Sequence, residues 1–163
     1  MGQAIKKNKV EYIDRVHGNS KGWITRSCID ENGYSQWHYK YLELKETDLT
    51  GENIYITLNT FYKPCRRLEC IKELNFVYID LDYYKTKYTK EQVIMNLESN
   101  YFNKIIPATN YIIDSGRGLA LLWNINKVPS QALPLWKAIQ EYLYHQLKEF
   151  GADRQALDAT RVL

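Results

Sequence analysis

The sequence lacks several features that would place it in a protein class at once. No apolar run approaches the roughly 20 residues that a membrane-spanning helix needs, and the N-terminal stretch MGQAIKKNK lacks the apolar centre of a secretory signal. We therefore expect a cytoplasmic protein with no membrane contact. A strong excess of charge of one sign is also missing. The 22 basic and 19 acidic residues leave a net charge of +3, which permits a nucleic-acid partner without requiring one.

Cysteine and histidine are too few and too scattered to indicate a zinc site. Cys65 and Cys70 lie close in sequence, but no second Cys or His pair follows them at ligand spacing. We interpret the three thiols as reduced and mostly buried. The chain is otherwise ordinary for a globular protein, with 45% hydrophobic and 25% charged residues. Its 14 tyrosines suit base stacking, yet they also fill strands, so composition identifies no function.

The first part of the chain reads as β-rich. Strand-like runs cover Trp23–Ile29 and Tyr34–Leu44, joined by an Asn32-Gly33 hairpin signal, and Asn53–Phe61 alternates like a third strand. From Asn75 onward the order becomes β-α-β-β-α. Its elements are a strand at Asn75–Asp82, a helix opened by a Thr89/Gln92 capping box with Val93, Ile94, Leu97 and Tyr101 buried, strands at Asn110–Asp114 and Leu119–Ile125, and an amphipathic helix from Gln131 to Phe150.

We therefore expect an α+β fold with an RRM-like sheet, the ferredoxin-like split βαβ arrangement. This sheet would occupy residues 71–163, after an N-terminal β-rich αβ module over residues 1–70. The last helix should bury its periodic apolar residues and end at Gly151; these residues are Leu135, Ile139, Tyr142, Leu143 and Leu147. Since no convincing closing strand precedes Leu163, we interpret the second module as incomplete at its C-terminus.

Two carboxylates stand two residues apart in the predicted strand Asn75–Asp82. Alternation places Asp80 and Asp82 on one face of the strand, where their like charges repel unless a cation neutralises them. Carboxylate oxygens suit hard cations such as Mg²⁺ or Mn²⁺. An isolated Asp-x-Asp, however, more often ends a strand on solvent than binds a metal.

A glycine-rich turn follows at Ser115-Gly116-Arg117-Gly118. Two glycines let the backbone approach a phosphate, and the planar guanidinium of Arg117 can pair with it. The alternative is a plain hairpin turn, which needs no ligand. In a β-α-β-β order the hairpin strands would flank or neighbour the strand bearing Asp80, which would bring phosphate and metal to one sheet face.

Three segments in order resemble the motifs of archaeo-eukaryotic primases (the AEP superfamily). They are VYIDLDYY, DSGRGLALLW and LDATRVL, and they look most like the prim-pol modules of plasmid and mobile-element replication proteins. The approach sequence NIYITLNTFYKPCRR is similar as well, so the resemblance runs from about Asn53 to the C-terminus. It implies a single catalytic domain over residues 1–163.

The resemblance implies roles for individual residues. Asp80, Asp82 and Asp158 match the carboxylates that bind two divalent cations, Mg²⁺ or Mn²⁺. The turn residues match the nucleotide-binding site, and Arg161 falls where a basic residue is often near the substrate; the turn comprises Ser115, Gly116, Arg117 and Gly118. Arg66 and Arg67 are weaker candidates for template or nucleotide contacts.

The implied function is a DNA primase and DNA-directed polymerase that joins NTPs or dNTPs on a single-stranded DNA template by a two-metal mechanism. A helicase or DNA-binding domain would be a natural partner beyond Leu163. Many relatives have His where this chain has Ala120. Either Arg117 then carries more of the phosphate charge, or triphosphate binding is weaker.

Two other functions remain open at this point. The same fold could be a non-catalytic single-strand binder that stacks bases on Tyr78, Tyr83 and Tyr84. A nucleotidyl cyclase also pairs aspartates on a ferredoxin-like sheet, and template dependence of the product would separate it from a primase. A rolling-circle nickase fits poorly, because the sequence has no paired-histidine metal motif.

Overall fold

The structure, a computed structural model, describes residues 2–49, 51 and 53–163, with side chains from residue 10 onward. It contains four α-helices and seven strands in this range, together with short 3₁₀ turns and a π-helical turn at Leu97–Tyr101. In chain order these are α1 Gly2–His17, β1 Ile24–Asp30, β2 Gly33–Tyr39, α2 Tyr41–Glu46, β3 Ile54–Ile56, β4 Thr60–Phe61, β5 Ile71–Leu81, α3 Lys90–Asn96, β6 Tyr111–Asp114, β7 Leu119–Pro129 and α4 Leu133–Leu147. None of the described helices is long and apolar enough to cross a membrane.

The chain folds as two compact units, and each of them is made of more than one segment of the sequence. One contains residues 1–75, 127–130 and 160–163, and the other contains residues 76–126 and 131–159. The units therefore separate within β5, between Asn75 and Phe76, close to the boundary expected at residue 70. The expected division into modules 1–70 and 71–163 of a single domain stays a prediction.

The first unit is built on a three-stranded sheet of order β2-β1-β3. The hairpin predicted from Asn32-Gly33 is confirmed: β1 and β2 pair from Ile24 with Tyr39 to Asp30 with Gly33, and Gly33 has φ +108°, which favours glycine. The expected strand Tyr34–Leu44 was wrong beyond Tyr39. The backbone N–H of Lys40 donates to the Glu43 carboxylate at 2.8 Å, and this capping interaction starts α2 instead.

The run Asn53–Phe61, predicted as one strand, is two strands in two sheets. β3 pairs with β1, whereas β4 pairs with β5 at Ile71 and Glu73. Between them the backbone leaves the ladder and makes other bonds, with Thr57 bridging Val162. The backbone groups of Ile56 and Leu163 also bond to each other in both directions, at 2.9 and 3.0 Å. Alternation alone could not reveal this change of partner.

The second unit contains the end of β5, strand β6, β7 up to Asn126, and the helices α3 and α4. The sheet has the order β4-β5-β7-β6, so the fold is a mixed α/β fold with an antiparallel sheet. The more specific RRM-like interpretation stays a prediction. The capping box before α3 is confirmed, since Thr89 and Gln92 exchange both hydrogen bonds, and Val93 and Leu97 are fully buried as expected.

Helix α4 ends as predicted, because Gly151 adopts φ +83° after the final turn. Its buried stripe, however, was only half right. Leu143 and Leu147 are buried, but Leu135, Ile139 and Tyr142 are 64%, 39% and 47% exposed. The helix instead buries two residues with polar atoms, which donate to and accept from the backbone of β5; these are Trp136 and Gln140. A glutamine does not register in an apolar pattern, so the predicted stripe was rotated.

Segment 151–153 pairs with the end of β5, although no closing strand was predicted there. Ala152 bridges Leu81, the Asp82 N–H donates to Gly151 O at 2.9 Å, and the Asp153 N–H donates to Asp80 O at 2.8 Å. The chain therefore returns to β5 in a short pairing that is too brief to produce a periodic sequence signal.

The corrected α4 stripe predicts a large difference between two leucines of one helix. Leu147→Ala should lower the free energy of unfolding by about 2–5 kcal/mol, because it leaves a cavity around a fully buried side chain. Leu135→Ala, at an exposed position, should change it by less than about 0.5 kcal/mol. Urea unfolding followed by circular dichroism measures both, and equal losses would contradict the stripe.

Candidate active site

The two aspartates of the first motif lie at the end of β5. Asp80 lies in the strand and is half-buried, and Asp82 follows the last strand residue with φ −81° and ψ 57°, outside the extended region. A 3₁₀ turn over Tyr83–Lys85 begins there, and the Lys85 N–H donates to Asp82 O at 2.9 Å. Asp82 is thus at the point where the strand bends into the turn.

This turn brings a lysine onto the second carboxylate. Lys85 Nζ lies 2.6 Å from Asp82 Oδ2, and the Asp82 side chain is only 23% exposed. The hydrogen bond from Lys85 to Asp82 is the main cause that raises the pKa of Lys85 to about 12. Lys85 therefore stays protonated at neutral pH, and any cation that binds Asp82 has to compete with it.

Two glycines flank the end of β5 at close range. A Cβ added to Gly118 would lie 2.7 Å from Leu81 O, and one added to Gly151 would lie 2.6 Å from Asp82 O. Both separations are below what real Cβ atoms show, so a side chain at either position would push the backbone away. The glycine-rich turn is thereby packed against the strand residue that separates Asp80 from Asp82, as the β-α-β-β order predicted.

The turn Ser115–Gly118 is held together by its own hydrogen bonds. The N–H groups of Ser115, Gly116 and Gly118 donate to Gly118 O, Asp114 Oδ1 and Ser115 Oγ at 3.0, 2.7 and 3.1 Å. Three turn amides are therefore already used, although amides were expected to contact the triphosphate. Arg117 lies at the exposed tip of the turn, and its role in phosphate binding stays a prediction.

Asp114 holds this turn from its first residue. Its Oδ1 accepts from the Gly116 N–H, and its Oδ2 lies 2.9 Å from Lys90 Nζ at the start of α3. These contacts, the lysine first, lower the pKa of Asp114 below its usual value. The ionised carboxylate therefore connects α3 to the turn at neutral pH.

The third aspartate is carried by the segment that follows α4. A 3₁₀ turn over Arg154–Leu157, capped by Asp153, precedes Asp158, which is exposed. The Asp158 carbonyl accepts a hydrogen bond from the Tyr78 hydroxyl, and Tyr78 is two residues before Asp80 in β5. The structure therefore brings the backbone of Asp158 to the strand that carries the other two carboxylates.

Comparison with known proteins gives a related sequence and a similar structure. No family model matches the chain. Over all 163 residues it is 73% identical to the "Replication protein" of Clostridium perfringens, and it spans 40% of that relative's length. Its structure is similar to the AEP domain of the primase-polymerase of cyanophage S-2L, with a TM-score of 0.64 over 96% of this chain and 80% of that one, at 14% sequence identity. The fold of this chain is therefore similar to that of an AEP domain. At this identity the similarity concerns the fold alone.

The remaining predicted site residues of this AEP fold lie in the first unit. Arg66 donates from Nε to Gln36 Oε1 at 3.2 Å and from Nη1 to Thr160 O at 3.0 Å. Arg67 is exposed and lies 3.8 Å from the Glu69 carboxylate. Arg161 follows Thr160 and is half-buried. Arg66 thus contacts the segment after Asp158, while the roles of all three arginines toward substrate stay predictions.

The three carboxylates fit a hard divalent cation by the chemistry of their oxygen atoms, and their backbone segments lie at the same end of β5. All three supply oxygen ligands, and the Asp153 and Asp158 backbone is bonded to β5 beside Asp80. Their side chains do not converge: among the described residues, no three Asp, Glu, His or Cys side chains are grouped to hold an ion. Asp82 is instead engaged by Lys85.

Sequence reasoning missed the polar groups that support the site. The contact of Lys85 with Asp82 was not predicted, because a lysine three residues after an aspartate is not by itself a signal. Gln140 was overlooked because it is polar on a helix face otherwise identified by apolar spacing. A buried Gln in such a stripe is itself a signal, since an amide is buried only where hydrogen bonds compensate for its lost hydration.

The Asp114 contacts predict how its carboxylate titrates. Lys90→Met should raise the pKa of Asp114 toward its usual value, since the lysine is the largest cause of the lowering. The pKa of Asp114 is lower in the folded than in the unfolded protein. The contact with Lys90 therefore stabilises the folded state fully above the unfolded-state pKa, and this stabilisation is lost as the pH falls through the folded-state pKa. NMR titration of the side-chain carboxyl measures the shift. Lys137→Met, on exposed α4 surface, is the control, and an unchanged Asp114 pKa in Lys90→Met would contradict the assignment.

Proposed function

We propose that this domain is a template-dependent primase-polymerase, which joins NTPs or dNTPs on single-stranded DNA in plasmid or mobile-element replication. One observation carries the proposal: the end of β5 holds Asp80 and Asp82 beside the glycine-rich turn, with the Asp158 backbone bonded to the same strand. This combination occurs on an AEP fold. The 73% identical replication protein supports the biological setting, and a helicase or DNA-binding domain elsewhere in the full protein is part of the proposal.

Each group of residues would have a distinct role in this reaction. Asp80, Asp82 and Asp158 would hold two Mg²⁺ or Mn²⁺ ions, which lower the pKa of the attacking hydroxyl and stabilise the leaving pyrophosphate when bound. Arg117 would pair with the triphosphate through its planar fork. Nucleotidyl transfer needs little covalent participation from the protein, so positioning and charge stabilisation would supply most of the catalysis.

The departure at Ala120 bears on phosphate binding. Ala120 is buried and pairs with Ile113 in the β6–β7 ladder. A small side chain there supplies no charge or hydrogen-bond donor for a phosphate. The exposed Arg117, three residues earlier at the tip of the turn, would therefore provide the main positive charge from this hairpin.

The structure weakens the alternative hypothesis that this domain is a non-catalytic single-strand binder. Tyr78, one of its three predicted stacking residues, is fully buried and forms an edge contact with the Trp136 ring at 5.7 Å between centroids. A buried ring cannot stack on a base. Tyr83 is half-buried and Tyr84 is 55% exposed, so a stacking surface would rest on these two alone.

Loss of the first-motif carboxylates should abolish synthesis without unfolding the protein. Asp80→Ala and Asp82→Ala should each reduce primer synthesis and primer extension on single-stranded DNA, with Mg²⁺ or Mn²⁺, by about 1,000-fold, because several kcal/mol of charge stabilisation is lost. Asp30→Ala, which removes a carboxylate at the β1–β2 turn, is the control and should retain activity.

The same assay should be made on this domain and on the full-length protein that contains it. Metal-dependent, template-directed product that disappears in both variants supports the proposal. Product that persists in Asp80→Ala would contradict it, and so would metal-dependent cyclic nucleotide formed without template. Absence of product from the full-length protein would leave the single-strand binder as the better function.

The ion pair at Asp82 predicts an unusual gain of metal affinity. Lys85→Met should raise the affinity for Mn²⁺ severalfold, because it removes a positive charge that competes with the ion for Asp82. Electron paramagnetic resonance of free Mn²⁺ at low ionic strength measures binding directly. Lys87→Met is the matched control, since Lys87 lies over the Tyr88 ring rather than on Asp82. Equal affinity in the wild type and in Lys85→Met would refute the competition.

A further inference from the structure

Gln140 is a fully buried amide in the apolar face of α4. Its relative exposure is 0%, between the buried side chains of Trp136 and Leu143. Both ends of the amide are used: Oε1 accepts from the Tyr78 N–H at 3.0 Å, and Nε2 donates to the Ala156 carbonyl at 3.1 Å. Burying an amide is unfavourable unless such bonds are made, so this position needs a side chain that donates and accepts at once.

The two partners of Gln140 belong to the two segments that carry the aspartates. Tyr78 is in β5, two residues before Asp80, and Ala156 is two residues before Asp158. The Tyr78 hydroxyl reaches the Asp158 carbonyl as well. Gln140 and Tyr78 thus form a closed set of hydrogen bonds between β5 and residues 156–158, which we name the tail clamp.

We propose that Gln140 is a positioning residue, which sets where Asp158 lies relative to Asp80 and thereby tunes the affinity for divalent cations. This inference rests on the proposed function, since it assigns the cation to the three aspartates. Gln140 acts through Ala156 and Tyr78 and needs no contact with the ion. Residues that orient metal ligands from behind commonly change metal affinity by about 10–100-fold when they are replaced.

The test compares Gln140→Met with a control on the same helix. Methionine keeps the length and shape of the side chain but can neither donate to Ala156 O nor accept from Tyr78 N–H. Leu147→Ala alters the same helix but removes none of the hydrogen bonds of the tail clamp. Binding of Mn²⁺, measured by electron paramagnetic resonance without nucleotide or DNA, should weaken about tenfold in Gln140→Met and stay as in wild type in Leu147→Ala.

A double-mutant cycle separates positioning from general loss of structure. In an Asp158→Ala background, Gln140→Met should have little further effect on Mn²⁺ affinity, because the ligand that it positions is gone. A second readout needs no metal: trypsin cleavage after the exposed Arg154 should become about tenfold faster in Gln140→Met, since the loosened tail opens locally more often. If Gln140→Met does not fold, Gln140→Asn, which is one methylene shorter, takes its place in the same measurements.

The outcomes distinguish the inference from the proposed function. Positioning by Gln140 is supported if Gln140→Met weakens Mn²⁺ binding in the wild-type background but not in the Asp158→Ala background. Unchanged Mn²⁺ affinity in Gln140→Met overturns the inference but leaves the function standing, and so does an equal loss in both backgrounds. A wild-type protein that binds no Mn²⁺ overturns the metal site of the proposed function, and the inference with it.

Discussion

The hydrogen-bonding requirement of one edge of β5 underlies the arrangement of the candidate site. Alternate residues of a strand direct their backbone groups to the same edge, and buried backbone groups must be paired. β4 pairs with β5 near its start, at Ile71 and Glu73. Further along, side chains of α4 form hydrogen bonds with the same strand. Beyond them, the backbone of the segment after α4, residues 151–153, does so. The groups satisfied in this way are Phe76 O, Tyr78 N–H, Asp80 O and Asp82 N–H.

Satisfying this edge also brings together the backbone segments that carry the predicted site residues. The tail can pair with Asp80 and Asp82 only by running alongside them, and it carries Asp158 within a few residues of that pairing. On the other side, Gly118 packs against Leu81 O, which places the Arg117 turn beside the same strand end. Backbone pairing and packing therefore bring the segments that carry Asp158 and Arg117 to the end of β5 that carries Asp80 and Asp82.

Several features were predictable because their causes are local. The Asn32-Gly33 hairpin, the Thr89/Gln92 capping box and the Gly151 helix end each depend on the conformational preference of a few adjacent residues, and all are confirmed. The resemblance carried by the three motifs correctly indicated a fold similar to that of an AEP domain. The errors arose where a distant partner decides the outcome: α2 in place of a longer β2, the division of Asn53–Phe61 between two sheets, and the exposed side of α4.

The sequence by itself thus determined the local elements, the kind of fold and the residue types offered for chemistry, since propensity, capping and short motifs act over a few residues. Only the tertiary structure decided which groups meet. It placed Lys85 on Asp82, used the turn amides internally, and buried Gln140 between β5 and the tail. Such pairings are set by the need to satisfy buried polar groups across the fold, and that need leaves little trace in the order of residues along the chain.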